Sequence, residues 1–237
     1  MQEDKDIMKQ TLQQGLTRLH LDLNQDQVDQ LCSFAQAVVE QNKVMNLTAI
    51  TQPEAVAKLH LLDSLTVMCL ADLKGKRLID VGCGAGFPGV PLAIGCPEAE
   101  ITLLDSLGKR IHWLEEILPE LGVKARCITA RAEEAVVLLR EQYDYATSRA
   151  VARLNILLEL TAPYVKVGGA VLAMKGASVK EELSECRNAM EQLGLQLEQV
   201  VEFPMDGTSH AVIILRKVAH TPSRYPRRYA KIKQEPL

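Results

Sequence analysis

The apolar positions in the first part of the chain repeat with helical spacing. Val28 and Leu31, with the apolar residues one and two turns further on, would share one face of a helix that begins after Asn24, a suitable N-cap. Residues 51–54, Thr-Gln-Pro-Glu, have the spacing of a capping box and predict another helix. The pattern therefore predicts an N-terminal helical cap over residues 1–70.

From residue 76 onward, short apolar segments alternate with amphipathic ones, which predicts a mostly parallel sheet with helices on both faces. The connection between the last two strands is too short for a helical crossover, so these strands should form an antiparallel hairpin. We therefore expect an α/β domain over residues 71–218 with a seven-stranded, mostly parallel sheet and a C-terminal antiparallel hairpin. The predicted strands are 77–80, 101–105, 125–129, 143–149, 168–175, 195–203 and 211–218, and the predicted helices between them include 109–118, 154–164 and 178–193.

Three alternating glycines follow the first predicted strand. Asp80 ends the strand, and Gly82, Gly84 and Gly86 allow the backbone to take positive φ and a ligand to approach closely. The segment fits both the G-x-G-x-x-G pattern of dinucleotide sites and the D-x-G-x-G-x-G pattern of S-adenosylmethionine (AdoMet) sites. A pyrophosphate would be disfavoured beside Asp80, whereas a carboxylate favours the positively charged methionine end of AdoMet. We therefore expect AdoMet as cofactor, and the class I AdoMet-dependent methyltransferase form of this Rossmann-like sheet.

Two more charged residues end predicted strands. Asp105 lies 19 residues after Gly86, where a carboxylate accepts hydrogen bonds from the ribose hydroxyls of an adenosine ligand. Arg149 ends the fourth strand, at the edge where open α/β sheets bind ligands, and is the candidate catalytic residue, with a role in orienting cofactor or substrate. His60 and Asp63 share one face of a predicted helix and are interpreted as a surface or capping pair rather than a catalytic dyad.

Composition adds an asymmetry of charge. The chain has 237 residues and a net charge of −3, but residues 216–237 contain seven Lys or Arg and one acidic residue. A basic C-terminal tail, residues 219–237, indicates a polyanionic partner. Its three prolines and its few apolar residues predict a tail that the fold does not need for its core. If the partner is RNA, contacts with its phosphates are expected from Arg224, Arg227, Arg228, Lys231 and Lys233.

Cysteines and hydropathy give less information. The six cysteines have no C-x-x-C spacing and no metal-type spacing with the five histidines, so we expect reduced, structural thiols and no metal. The sequence has no apolar run long enough for a membrane span and no signal-peptide pattern at its start. These features predict a cytoplasmic protein without membrane contact, and we expect a monomer.

The sequence also limits the chemistry of the methyl acceptor. The segment 147–150, Thr-Ser-Arg-Ala, lacks the Asn/Asp-Pro-Pro-Tyr/Phe turn used for exocyclic amines, and no Pro-Cys dipeptide offers a thiolate for C5 of a pyrimidine. Acceptors that are already nucleophilic remain, such as guanine N7, which loses no proton when it attacks. Such a reaction needs placement and electrostatics rather than a base.

Eight short motifs follow one another along the chain. They are 46–50 (NLTAI), 60–65 (HLLDSL), 80–89 (DVGCGAGFPG), 104–106 (LDS), 131–133 (RAE), 148–150 (SRA), 174–176 (MKG) and 225–227 (YPR). In these motifs and their order the chain resembles the ribosomal RNA small subunit methyltransferase G family, also called glucose-inhibited division protein B. The resemblance implies AdoMet-dependent methylation of N7 of a specific guanine, of the position-527 type, in small-subunit (16S) ribosomal RNA, either as RNA or within a particle. It also implies cofactor contacts from Gly82, Phe87, Ala132, Glu133 and Arg149.

Two other functions are compatible with an AdoMet-binding sheet. One is methylation of a small molecule, with the N-terminal helices as a lid; the other is a non-catalytic, AdoMet-binding regulator associated with cell division. The basic tail favours an enzyme that acts on RNA over one that acts on a small molecule. The presence of Asp80, Asp105 and Arg149 together argues against a non-catalytic regulator.

Overall fold

The N-terminal third of the protein is helical. A computed structural model describes residues 2–205 and 208–237. Asn24 caps the second helix and forms a reciprocal capping box with Gln27. The predicted box at residues 51–54 is wrong, because the N-cap of the third helix is Gln52, whose side chain makes no capping hydrogen bond. The N-terminal elements are α1 (Gln2–Leu19), α2 (Gln25–Met45), α3 (Pro53–Val56), a π-helical segment (Ala57–Leu62), α4 (Asp63–Leu65) and a 3-10 turn (Thr66–Cys69).

Seven strands form one sheet, as predicted. They are β1 (Arg77–Val81), β2 (Glu100–Asp105), β3 (Arg126–Thr129), β4 (Tyr143–Arg149), β5 (Val165–Lys175), β6 (Leu195–Met205) and β7 (Thr208–Lys217). Their spatial order is β3-β2-β1-β4-β5-β7-β6. The first five strands run parallel to one another, and β7 is antiparallel to both β5 and β6. The sheet therefore has the class I AdoMet-dependent methyltransferase topology, including the C-terminal hairpin.

Helices cover both faces of the sheet. The later helices are α5 (Gly89–Gly95), α6 (Gly108–Glu120), α7 (Ala132–Leu139), α8 (Leu154–Thr161), α9 (Val179–Glu185), α10 (Arg187–Leu193) and α11 (Tyr229–Gln234), with a 3-10 turn at Ala162–Tyr164. The predicted helix over residues 178–193 is two helices that meet at Cys186, and α10 ends at Gly194 in the left-handed conformation, as expected for a helix C-cap. The segments α7 and α11 were not predicted as helices.

The alternation of side chains along the strands builds two cores. Leu78 and Leu103 face one core, shared with α1, α2, α5 and α6, while Ile79 and Leu104 face the other, shared with α7, α8 and α10. The N-terminal helices thus pack into the same core as one face of the sheet. The division at residues 70 and 218 into cap, catalytic domain and tail stays a prediction. None of the described helices is long and apolar enough to cross a membrane.

Candidate active site

A cavity of about 940 Å³ opens at the carboxyl ends of the parallel strands. The strands that reach it are β1, β2, β4 and β5 of the parallel part of the sheet, and β7 contributes His210. Of the residues predicted to bind cofactor, the cavity is lined by Gly82, Gly84, Phe87, Asp105, Ala132, Glu133 and Arg149. The edge of the sheet at which the ligand was expected is therefore the edge that carries the cavity.

The three predicted glycines have different roles. All take positive φ, at +75° for Gly82, +57° for Gly84 and +98° for Gly86. A Cβ on Gly82 would lie 2.5 Å from a methyl of Val151, and one on Gly86 would contact Val90 at 2.7 Å. Gly86 does not line the cavity, so it permits packing beneath the loop, whereas Gly82 and Gly84 shape the cavity wall.

Asp80 lies beneath the glycine loop and not in the cavity wall. It is fully buried; its Oδ2 accepts a hydrogen bond from the backbone N–H of Gly89 at 2.8 Å, and its Oδ1 has no partner among the described residues. Burial raises the pKa of Asp80 to about 7. Direct contact between this carboxylate and the methionine end of AdoMet stays a prediction, and the hydrogen bond places Asp80 as a support of the turn between β1 and α5.

Asp105 lies at the end of β2 on the cavity wall. Its Oδ2 accepts from the N–H of Gly84 at 2.9 Å, and its Oδ1 accepts from the N–H of Leu107 at 2.8 Å. A carboxylate has about four acceptor positions, so both oxygens can still accept from a ligand. The backbone hydrogen bonds fix the orientation that such a ligand meets.

Arg149 is held on the opposite side of the cavity by three groups of the N-terminal helices. Its Nη1 donates to the carbonyl of Leu59 at 2.8 Å and to Oδ2 of Asp63 at 3.0 Å, and its Nη2 lies 3.2 Å from Nδ1 of His60. The guanidinium also lies over the ring of Phe87, 5.1 Å from its centroid. Within the described contacts, two of the five guanidinium N–H groups remain for a bound molecule.

His60 contacts Thr48, Leu59 and Arg149 through its two ring nitrogens. Nε2 lies 2.7 Å from Oγ1 of Thr48, and Nδ1 lies 3.2 Å from Nη2 of Arg149, a donor, and 3.1 Å from the carbonyl of Leu59, an acceptor. Burial and the neighbouring Arg149 lower the pKa of His60 to about 4. The ring stacks on Phe87 with centroids 4.7 Å apart. His60 is therefore a neutral side chain packed between Phe87 and Arg149.

Asp63 joins two basic residues from distant parts of the chain. It is 4% exposed; Oδ2 binds Arg149, and Oδ1 accepts from Nδ1 of His210 on β7 at 3.0 Å. The hydrogen bond that His210 donates to Asp63 raises the pKa of His210. The interpretation of His60 and Asp63 as a surface or capping pair is wrong, because both are buried and line the cavity.

An irregular helix and a strained residue shape this side of the site. In the π-helical segment, the N–H of Asp63 donates to the carbonyls of Lys58 and His60 rather than to that of Leu59, so the Leu59 carbonyl is available to Arg149. Next to Arg149, Ala150 has φ of +57°, a conformation that costs a non-glycine residue about 1–3 kcal/mol. Such strain is typical of positions where function fixes the backbone.

The chain was compared with known proteins. The family model described as "rRNA small subunit methyltransferase G" matches residues 27–211. The chain belongs to this family. Proteins named ribosomal RNA small subunit methyltransferase G from Alkaliphilus oremlandii (strain OhILAs) and Caldanaerobacter subterraneus subsp. tengcongensis are 42% and 43% identical to it; the matches cover 97% and 95% of this chain and 99% and 97% of the relatives.

Solved structures share the fold of this family member at low sequence identity. A mutant of the 16S rRNA (adenine(1408)-N(1))-methyltransferase from Catenulisporales acidiphilia superposes with a TM-score of 0.54 and 16% identity, over 63% of this chain and 88% of that one. A TehB-like SAM-dependent methyltransferase from Corynebacterium glutamicum gives 0.52 and 18%, over 77% of this chain and 98% of that one. These likenesses support the fold alone.

The cysteines of this methyltransferase are unsuited to covalent catalysis. Cys83 lines the cavity, but burial raises its pKa well above the ordinary value for a thiol, and its side chain is 2% exposed. Burial also raises the pKa of Cys96, which lies outside the cavity wall. A thiolate is the reactive form of cysteine, so neither residue is poised as a nucleophile.

The C-terminal tail is more firmly attached than its composition indicated. Arg227 makes a bidentate ion pair with Glu159, which is completely buried, and Tyr225 and Ile232 are buried as well. The expectation that the tail contributes nothing to the core is therefore wrong. Arg224, Arg228, Lys231 and Lys233 are exposed, so their proposed RNA contacts stay predictions that fit their positions.

Thr48, His210 and Tyr229 are among the residues of the site that the sequence analysis did not identify. Thr48 and His210 belong to the network around Arg149, and Tyr229 lines the cavity from the tail. The NLTAI motif contains Thr48 and was one signal that could have located it. No local pattern distinguishes His210, since it reaches Asp63 across 147 residues of sequence.

Proposed function

We propose that the protein transfers a methyl group from AdoMet to N7 of a guanine in 16S ribosomal RNA, namely the guanine that corresponds to position 527. The reaction would take place in the cytoplasm. Membership of the small-subunit rRNA methyltransferase family supports the reaction class. The observation that carries the assignment is one cavity with an oriented acidic side chain, Asp105, on one side and the buried network around Arg149 on the other.

The residues of the cavity fit AdoMet. A volume of about 940 Å³ is within the upper range for small-molecule sites and leaves room for both a cofactor and part of a base. Asp105 would accept from the ribose hydroxyls, and Gly82 and Gly84 give the ligand close access to the backbone. Ala132 and Glu133, after β3, would hold the adenine end.

AdoMet supplies an electrophilic methyl group on a positively charged sulfur. The side chains of the protein would hold the acceptor in line with that methyl. Arg149 is fixed on three sides and stacked on Phe87, so it can direct its remaining N–H groups at an acceptor with little reorganisation. Positioning of this kind can account for several orders of magnitude in rate. Arg149 would therefore orient the reactants and not transfer a proton.

The electrostatics of the site favour an acceptor that loses no proton. Nδ1 of His60 faces Arg149 and the Leu59 carbonyl, and the two oxygens of Asp63 are paired with Arg149 and His210. A general base must lie within hydrogen-bond reach of the proton that it removes, whereas His60 and Asp63 are buried against Arg149, which is the more exposed of the three. Guanine N7 attacks with a lone pair and releases no proton, which matches such a site.

The test is methyl transfer by the purified protein. Labelled AdoMet would be incubated with small-subunit particles and with naked 16S RNA that lack the modification, and the product would be digested to nucleosides and mapped. We expect 7-methylguanosine at one position in one of the two substrates. Arg149→Ala should abolish it, while Cys83→Ser should retain it. Methylation of another atom, or a covalent RNA–protein adduct, would refute the assignment.

A further inference from the structure

The C-terminal segment returns to the edge of the sheet that carries the cavity. Because β7 is antiparallel to β5, it ends at Lys217 near the opposite edge. The chain then passes α10, where Oγ1 of Thr221 donates to the carbonyl of Leu193, and the end of α7, where Arg140 donates to the carbonyl of Tyr225. The chain next contacts α8, and Tyr229 at the start of α11 then lies on the wall of the cavity.

Buried contacts hold the segment in this position. The guanidinium of Arg227 donates to both carboxylate oxygens of Glu159, at 2.9 Å and 2.6 Å, and the backbone N–H of Arg227 donates to the same carboxylate at 2.8 Å. Glu159 is 0% exposed, and so is Ile232 on α11. A buried ion pair of this kind defines a unique geometry, so the residue between these anchors, Tyr229, has a fixed place.

Tyr229 lies on the cavity wall beside the residues that follow β3. The guanidinium of Arg131 lies over its ring, 5.3 Å from the centroid, and Nε of Arg131 donates to Glu133 at 2.7 Å. All three side chains line the cavity. One face of the ring is thus covered by the guanidinium of Arg131. The ring also borders the cavity, whose wall includes Ala132.

We propose that Tyr229 is an additional cofactor-binding residue, which the C-terminal segment contributes to the adenine end of the cavity. The proposal rests on the AdoMet site of the proposed function. The ring offers an aromatic contact to a planar purine, and Arg131 packs over one of its faces. Tyr225, by contrast, is 6% exposed and packs in the core, so it is not available to a ligand or to an RNA base.

The experiment is calorimetric titration of the full chain with S-adenosylhomocysteine. Tyr229→Ala should weaken binding about tenfold, as expected for loss of stacking on one base. Tyr229→Phe should bind like the wild type, because the aromatic face is retained. Tyr229→Leu, which keeps apolar bulk against the segment, should also bind weakly. Gln234→Ala, an exposed change on the same helix, is the matched control and should bind normally.

The outcomes separate this proposal from the proposed function. Failure of the wild-type protein to bind S-adenosylhomocysteine would overturn the AdoMet site itself. Wild-type affinity in both Tyr229→Ala and Tyr229→Leu would overturn the role of Tyr229 alone. If these variants bind the cofactor product normally but bind small-subunit RNA less tightly, the ring stacks on an RNA base and the proposal is wrong. Melting temperatures of all variants show whether each one is folded.

Discussion

Substitution of Asp63 by Asn tests the network around Arg149 most directly. The amide retains the shape of the carboxylate but has no charge. Nη1 of Arg149 and Nδ1 of His210, each 3.0 Å from an oxygen of Asp63, would therefore both lose a negatively charged partner. We expect lower stability and lower methyl-transfer activity, because the guanidinium loses its counter-ion and one of the groups that orient it.

The magnitude follows from burial. Removal of one partner of a buried ion pair costs about 3–5 kcal/mol. The side chain of Asp63 is 5% exposed and that of Arg149 is 18% exposed, so solvent reaches one partner and the lower value, about 3 kcal/mol, applies. For a domain of this size, that change lowers the melting temperature by about 6–12 °C.

The effect should depend on pH. Asp63 raises the pKa of His210, so the folded protein holds the proton of His210 more tightly than the unfolded chain does. This contribution to stability is complete below the unfolded pKa of about 6.5 and is lost as pH rises through the raised folded pKa. The difference in stability between wild type and Asp63→Asn should therefore be largest near pH 6 and smaller at higher pH, where only the loss at Arg149 remains.

The assay combines thermal unfolding across this pH range with methyl transfer to small-subunit RNA. Asp22→Asn, an exposed carboxylate between α1 and α2, is the control for loss of one negative charge. A melting temperature for Asp63→Asn within about 2 °C of the wild type, which corresponds to less than about 1 kcal/mol, together with unchanged turnover, would refute the network as described.

Three further changes test other parts of the molecule. Asp105→Ala should weaken binding of S-adenosylhomocysteine by about 1.5–3 kcal/mol in a titration, and unchanged affinity would place the ribose elsewhere. Cys83→Ser should leave turnover within about tenfold, roughly 1.4 kcal/mol of barrier, and a complete loss would indicate a reactive thiol. Glu159→Gln should destabilise the fold by about 3 kcal/mol and increase proteolysis after residue 218, because Arg227 loses its buried partner; an unchanged digestion pattern would contradict that anchor.

The sheet was predictable because its signals are local. Short apolar strands, the glycine turn after Asp80 and the short connection before β7 each follow from a few neighbouring residues. Together they predict the mostly parallel sheet, its C-terminal hairpin and the edge at which the cavity opens. Asp105 and Arg149 were found for the same reason, since each one ends a strand.

The partners of Arg149 were not predictable from these signals. His60 and Asp63 contact it across 89 and 86 residues of sequence, and helical spacing alone gives the same pattern to an exposed pair. The tail was misjudged because its charges and prolines are typical of a solvated segment, while its fixation depends on Glu159, a lone acidic residue in the apolar helix α8. Only the folded structure shows that Glu159 faces Arg227.

The π-helical segment has a consequence for the evolution of the site. A π-helical turn contains one residue more than the α-helical turn that it replaces, so a deletion of one residue between positions 57 and 59 would allow a regular helix to form. In that regular helix the N–H of Asp63 would donate to the Leu59 carbonyl, which would then no longer be free for Arg149. We therefore expect the loss of one codon here to leave the flanking helical turns in register and to remove one of the groups that orient Arg149.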